Sequence, residues 1–204
     1  MTSRTNGGYF MAIIVALAAI FVLPAPAWAD HEPIYGQHWS NAAPQLTSKA
    51  QVYIEDYTGA NWPVINAVSK WDNQSYILVY YKSAGTCNHG LVHCVHAVEY
   101  YSSTDGRYGH TNLIIDSARH LKHGTHSNPE SGVVIHFNNY YVPRTTTAQR
   151  RKVTCHEVGH SLGLMESHRD DSCMDQDLGT WYEYTSWHDF EEVLRGMYAF
   201  HSDW

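Results

Sequence analysis

The chain has 204 residues, 44% apolar, 13% aromatic and only 16% charged, with fifteen histidines against thirteen Lys and Arg. That length suits one domain with a hydrophobic core, and the Tyr, Trp, Val and Ile spread along it exclude a disordered tail. A formal net charge of −7 with no Lys/Arg-rich stretch argues against nucleic acid or an anionic membrane surface as partner and leaves a surplus of imidazole to explain.

Residues 1–29 read as a secretory signal peptide. Arg4 supplies the basic start, Phe10 to Leu23 form an apolar run, and Pro24 and Pro26 break it before the small-x-small site Ala27-Trp28-Ala29. The run is shorter than the roughly 20 residues that span a bilayer, so cleavage after Ala29 and an extracellular protein without a membrane anchor are expected. Export makes Cys87, Cys94, Cys155 and Cys173 disulfide formers. Of the three possible pairings, the local one joins Cys87 to Cys94 and Cys155 to Cys173; no C-x-x-C spacing suggests a cysteine zinc site.

Residues 30–49, polar and containing Pro33 and Pro44, read as an extended arm, and residues 50–204 as one domain. Val52-Tyr53-Ile54 is strand-like. Trp62 to Trp71 has helical spacing, with Asn61 as cap and Pro63 in the first turn. Further strands are expected over Tyr76–Tyr81, Val95–Tyr101, Asn112–Ile115 and Val133–Phe137. A helix over Thr145–Leu162 is capped by Thr146 or Thr147. A last helix runs from Trp187 to Phe200, with Ser186 and Asp189 as its capping box. The class is α+β, and nothing divides it into two domains.

The string Cys155-His156-Glu157-Val158-Gly159-His160-Ser161-Leu162-Gly163-Leu164-Met165-Glu166 carries the chemistry. On a helix, His156 and His160 share a face one turn apart, where two imidazoles can grip one zinc ion. Glu157 beside them can take a proton from an activated water and pass it to a leaving amine. In a chain this rich in histidine, H-E-x-x-H arises by chance about 0.05 times; Gly163 makes the match more specific.

H-E-x-x-H-x-x-G followed by a methionine turn resembles the metzincin clan of zinc metallopeptidases, in small secreted matrixin-like or snapalysin-like form. The resemblance covers about Gln51 to the end. It implies a twisted mixed β-sheet, an active-site helix ended by Gly163, a Met-turn at Met174 and a C-terminal helix opening at Trp187-His188-Asp189-Phe190. It also implies one catalytic Zn2+ held by His156, His160 and a third ligand three residues after the glycine. That position is Glu166, where relatives carry His or Asp; His168 is the alternative, and a gluzincin arrangement would use Glu183, Glu191 or Glu192. A Cys155–Cys173 bridge would tie the Met-turn to the helix.

Other signals are weaker. His120, His123 and His126, with His110 and Asp116 nearby, leave a second structural metal conceivable, although a solvated loop is the expectation. His89, His93 and His96 have no acidic partner placed to help and read as surface residues; His136 reads as a satisfied strand histidine. Asn73-Gln74-Ser75 is a glycosylation sequon. The expected activity is zinc-dependent endopeptidase cleavage by a monomer, with an extended polypeptide along an edge strand near Val95–Ser102 or Asn112–Ile115. The alternative is a secreted, non-catalytic metal- or partner-binding protein.

Overall fold

A computed structural model describes residues 38–40, 49–72, 77–177 and 182–198. The signal segment, most of the arm, the 73–75 sequon, Tyr76 and Phe200 lie outside the described residues. Five strands form one mixed sheet: β1 (Ala50–Asp56), β2 (Ile77–Ser83), β3 (His93–Tyr100), β4 (Gly109–Asn112) and β5 (Val134–Asn138). Their order is β2-β1-β3-β5-β4, parallel except for β4, which runs antiparallel to β5 at the edge. Helices α1 (Val64–Trp71) and α2 (Thr147–Ser161) pack on one face. A π-wound turn, Asp189–Leu194, continues into α3 (Arg195–Tyr198). No helix among the described residues is long and apolar enough to cross a membrane.

Alternation in β1 explains which face is covered. Val52 and Ile54 are fully buried against the helices, beside Val95 and Ala97 of β3. α1 meets them with Val64, Ala67, Val68 and Trp71, one stripe at helical spacing. Its start differs from expectation: Pro63 is the cap and no side chain caps the helix. The Val64 N–H turns back to the Trp62 carbonyl at 2.8 Å. Asn61 is thereby left outside, its carbonyl accepting from Arg150 Nε at 3.0 Å. Burial of Trp62, stacked on Phe137 with its indole donating to Asn139, sets this entry.

The other caps agree with the sequence. Thr146 and Gln149 form a reciprocal capping box on α2. Ser186 and Asp189 form another, with the Ser186 N–H donating to Asp189 and the Asp189 N–H to the Ser186 hydroxyl. Both disulfides, Cys87–Cys94 and Cys155–Cys173, are formed.

β4 lies earlier than the expected Asn112–Ile115. The apolar residues Ile114 and Ile115 leave the ladder and fold back on Lys122 and Leu121, 37% and 41% exposed. The polar run Gly109-His110-Thr111-Asn112 pairs instead, because ladder bonds are backbone bonds. Only glycine fits at 109 without pushing on its neighbour: a Cβ there would lie 3.1 Å from Glu157 Cγ and 3.2 Å from the His136 carbonyl. β3 is central, so the Val95–Ser102 segment is no sheet edge, whereas β4 is one.

Candidate metal centre

α2 carries His156 and His160 one turn apart, and each ring is aimed by a carbonyl. Nδ1 of His156 lies 2.9 Å from the Cys173 carbonyl, and Nδ1 of His160 lies 2.8 Å from that of Leu164. A carbonyl only accepts, so both Nδ1 atoms carry the proton and both Nε2 atoms of neutral rings present lone pairs. Those two Nε2 atoms face each other across 2.9 Å. Glu166 brings its oxygens to 3.3 Å from His156 Nε2 and 3.5 Å from His160 Nε2. Three acceptors converging in this way repel one another unless a proton or a metal ion sits among them.

The local fold explains the convergence. α2 ends with Gly163 at φ 95°, a left-handed conformation that favours glycine. The Gly163 N–H returns to the His160 carbonyl and the Leu164 N–H to that of Gly159, a Schellman closure. That turn delivers the Leu164 carbonyl to His160 and sends the chain back, so that Glu166 faces the histidines. The Ser167 N–H then donates to the Met174 carbonyl at 2.8 Å, and the Gln176 N–H to the Ser167 carbonyl at 3.1 Å.

Below the histidines, the Cys155–Cys173 bridge holds the Cys173 carbonyl under His156. The Met174 N–H donates to the Ser172 hydroxyl, which donates to Asp189 at the start of the C-terminal helix. Met174 is fully buried against Gly159, where a Cβ would overlap the Met174 sulfur and lie 2.7 Å from Trp71 Cζ2. Alanine gains about 1 kcal/mol over glycine in an open helix, but overpacking costs about 1–3 kcal/mol. Gly159→Ala is therefore expected to lower Tm, whereas Gly196→Ala, with nothing within 4 Å, is expected to leave it unchanged or raise it. Thermal melts of the two variants check this, and equal shifts would contradict the packing argument.

Electrostatics follow the same geometry. Burial opposes charge on His160, but contact with Glu166, the charge of Glu157 and the Leu164 carbonyl together hold its pKa above the ordinary imidazole value. Burial likewise works to raise the Glu166 pKa, and the two imidazoles outweigh it, holding the carboxyl well below the usual range.

Glu157 is 5% exposed and points beneath β4, its Oε2 2.8 Å from the Thr111 hydroxyl. It opens with His156, His160 and Glu166 onto a cleft of about 380 Å³ whose other wall includes Gly109, His110 and Thr111. A carboxylate beside a site that could hold a divalent ion, under a sheet edge, is suited to moving protons at a polarised carbonyl.

Of the other third-ligand candidates, His168 is exposed, with Nδ1 3.0 Å from Gln176 Nε2. Glu183 pairs with Lys70 and Arg151, and Glu191 with Arg195; the Glu192 side chain lies outside the described ones. Glu166 is thus the candidate that the structure brings to the pair.

The histidines outside this motif group differently from expectation. His93 contacts the Ser40 carbonyl, His120 pairs with Asp116, and His110 stacks on His136. His96, expected at the surface without an acidic partner, is fully buried and lies directly opposite Glu55 on β1. His89 and His126 join them, making Glu55, His89, His96 and His126 a second group of potential metal ligands. The one sequence signal for it was a glutamate directly after the apolar positions of a strand. No protein-family model matches the chain, and no curated protein is significantly similar to it.

Proposed function

We propose that the chain is a secreted zinc endopeptidase of metzincin type, with α2 as active-site helix and Met174 in the Met-turn. The observation that carries the reading is the pair of Nε2 lone pairs held 2.9 Å apart by carbonyls on Nδ1, with the Glu166 carboxylate beside them. Donor atoms about 2.1 Å from a tetrahedral ion stand about 3.4 Å apart. Each Nε2 meets a different Glu166 oxygen, at 3.3 and 3.5 Å, and the two Nε2 atoms stand 2.9 Å apart, so a bound ion would spread the imidazoles slightly. Two imidazoles and one carboxylate suit zinc with one position left open.

Zinc held there would supply Lewis-acid polarisation of the scissile carbonyl and make water a usable nucleophile at neutral pH. Glu157 takes the proton of the attacking water and returns it to the leaving amine. β4 offers its free edge to an extended peptide, whose backbone can pair with it as an added strand. The apolar run of residues 10–23 and the two disulfides support secretion.

The purified chain, without residues 1–29, is expected to cleave a denatured protein, to stop when treated with a chelator, and to recover with added zinc. Cleavage that persists after the chelator has stripped the metal would refute zinc dependence. A zinc-loaded protein that cleaves nothing would favour the non-catalytic metal-binding reading.

A further inference from the structure

The face of the sheet opposite the helices carries a buried cluster that the proposed peptidase chemistry does not use. Glu55 and His96 are register partners on β1 and β3, and neither side chain is exposed. The loop between β2 and β3 brings His89, and the loop between β4 and β5 brings His126. Glu55 Oε2 lies 3.2 Å from His96 Nε2, 3.4 Å from His89 Nε2 and 3.6 Å from His126 Nδ1. The 3.2 Å contact is not aligned as a hydrogen bond. Among the described residues, Glu55 Oε2, His89 Nε2 and both ring nitrogens of His96 are buried without a hydrogen-bond partner, an arrangement that costs free energy if nothing fills it.

The outer atoms of His89, His126 and Glu55 are already committed in a way that turns an acceptor inward, whereas Nδ1 of His96 is buried without a hydrogen-bond partner. His89 Nδ1 lies 2.8 Å from the Gly124 carbonyl, which leaves a lone pair on Nε2. His126 Nε2 lies 3.0 Å from the Cys87 carbonyl, which leaves one on Nδ1. Glu55 Oε1 accepts the Cys87 N–H at 2.9 Å, which leaves Oε2 for the centre. The Tyr57 hydroxyl borders the cluster, beside the Glu55 carboxylate and 3.4 Å from His126 Nδ1, a long contact for a hydrogen bond. Metal-binding histidines are oriented in this manner, by a carbonyl on the other ring nitrogen.

We infer that Glu55, His89, His96 and His126 form a second zinc site, closed and structural. Three imidazole nitrogens and one carboxylate oxygen complete four-coordination, so no position stays open for a substrate. The separations of 3.2, 3.4 and 3.6 Å from Glu55 Oε2 bracket the roughly 3.4 Å expected between donors of a tetrahedral ion at about 2.1 Å. A hard, oxygen-seeking ion such as calcium would not choose three imidazoles. The ion would fasten two loops to the sheet. The Cys87–Cys94 disulfide would orient ligands from the second sphere, since Cys87 holds both Glu55 and His126 through its backbone.

The site is separate from His156 and His160, so metal counting distinguishes the two. The mature chain is loaded with zinc, freed of excess and assayed for metal by mass spectrometry. A His156→Ala/His160→Ala variant is expected to keep one tightly held zinc, which adding Glu55→Gln or His126→Ala removes. The His126 side chain is 46% exposed, so its truncation leaves the core intact. If the double variant holds no zinc, or if either added substitution leaves its content unchanged, the site is not a metal centre. Cobalt loading of the double variant needs no change at the cluster. The strong visible absorption of a four-coordinate ion is expected, and its absence overturns the proposal.

Discussion

Glu157→Gln is expected to lower kcat for peptide cleavage by about 10²–10⁴-fold, the range lost with a general acid–base group, while bound zinc and KM change little. The amide oxygen of glutamine can accept from the Thr111 hydroxyl as Oε2 does at 2.8 Å, so the side chain keeps its place beneath β4. What it loses is the capacity to take a proton from water. Steady-state kinetics with metal analysis reads both outcomes. Cleavage within a few-fold of the parent would mean that another group is the base. Loss of zinc would mean that Glu157 helps to hold the ion.

Removing the second disulfide as Cys155→Ala/Cys173→Ala is expected to cost about 3 kcal/mol from loop closure alone, for a bridge spanning 18 residues in sequence. For a domain of this size that lowers Tm by about 6–12 °C. Both cysteines are fully buried, and alanine leaves no unpaired polar group. The same change frees the Cys173 carbonyl from beneath His156, and disturbing such an orienting contact weakens metal binding by about 10–100-fold. Calorimetry and competition with a zinc-binding dye measure the two effects. Lost stability with unchanged zinc affinity would show that the backbone around Met174 holds its place without the bridge.

The parts of this architecture that are local in sequence were legible in it. Thr146 with Gln149, and Ser186 with Asp189, announce helix starts because a cap and its partner are three residues apart. His156, His160 and Gly163 lie on a single helix and its closing turn. What depends on strand pairing was hidden. Glu55 and His96 are far apart in sequence and meet only because β1 pairs with β3 in one register. β4 was misplaced because its pairing residues are polar, while the apolar Ile114 and Ile115 beside them stay half-exposed. The Asn61 cap failed because burial of Trp62 turns the chain before the helix begins.

Trp39 is fully buried, and its indole donates to the Ser161 carbonyl at 2.8 Å. Its N–H donates to the Tyr198 hydroxyl across 159 positions of sequence, and that hydroxyl donates to the Leu162 carbonyl. The turn that aims His160 is therefore braced by residues near both ends of the described chain. Such distant contacts, added to parallel strand pairing, raise contact order and slow folding, since the entropy of closing a long loop is spent before the contact rewards it. A nascent chain that has not yet reached Tyr198 lacks this brace, so the turn at His160 gains its full support only once Tyr198 can pack on it.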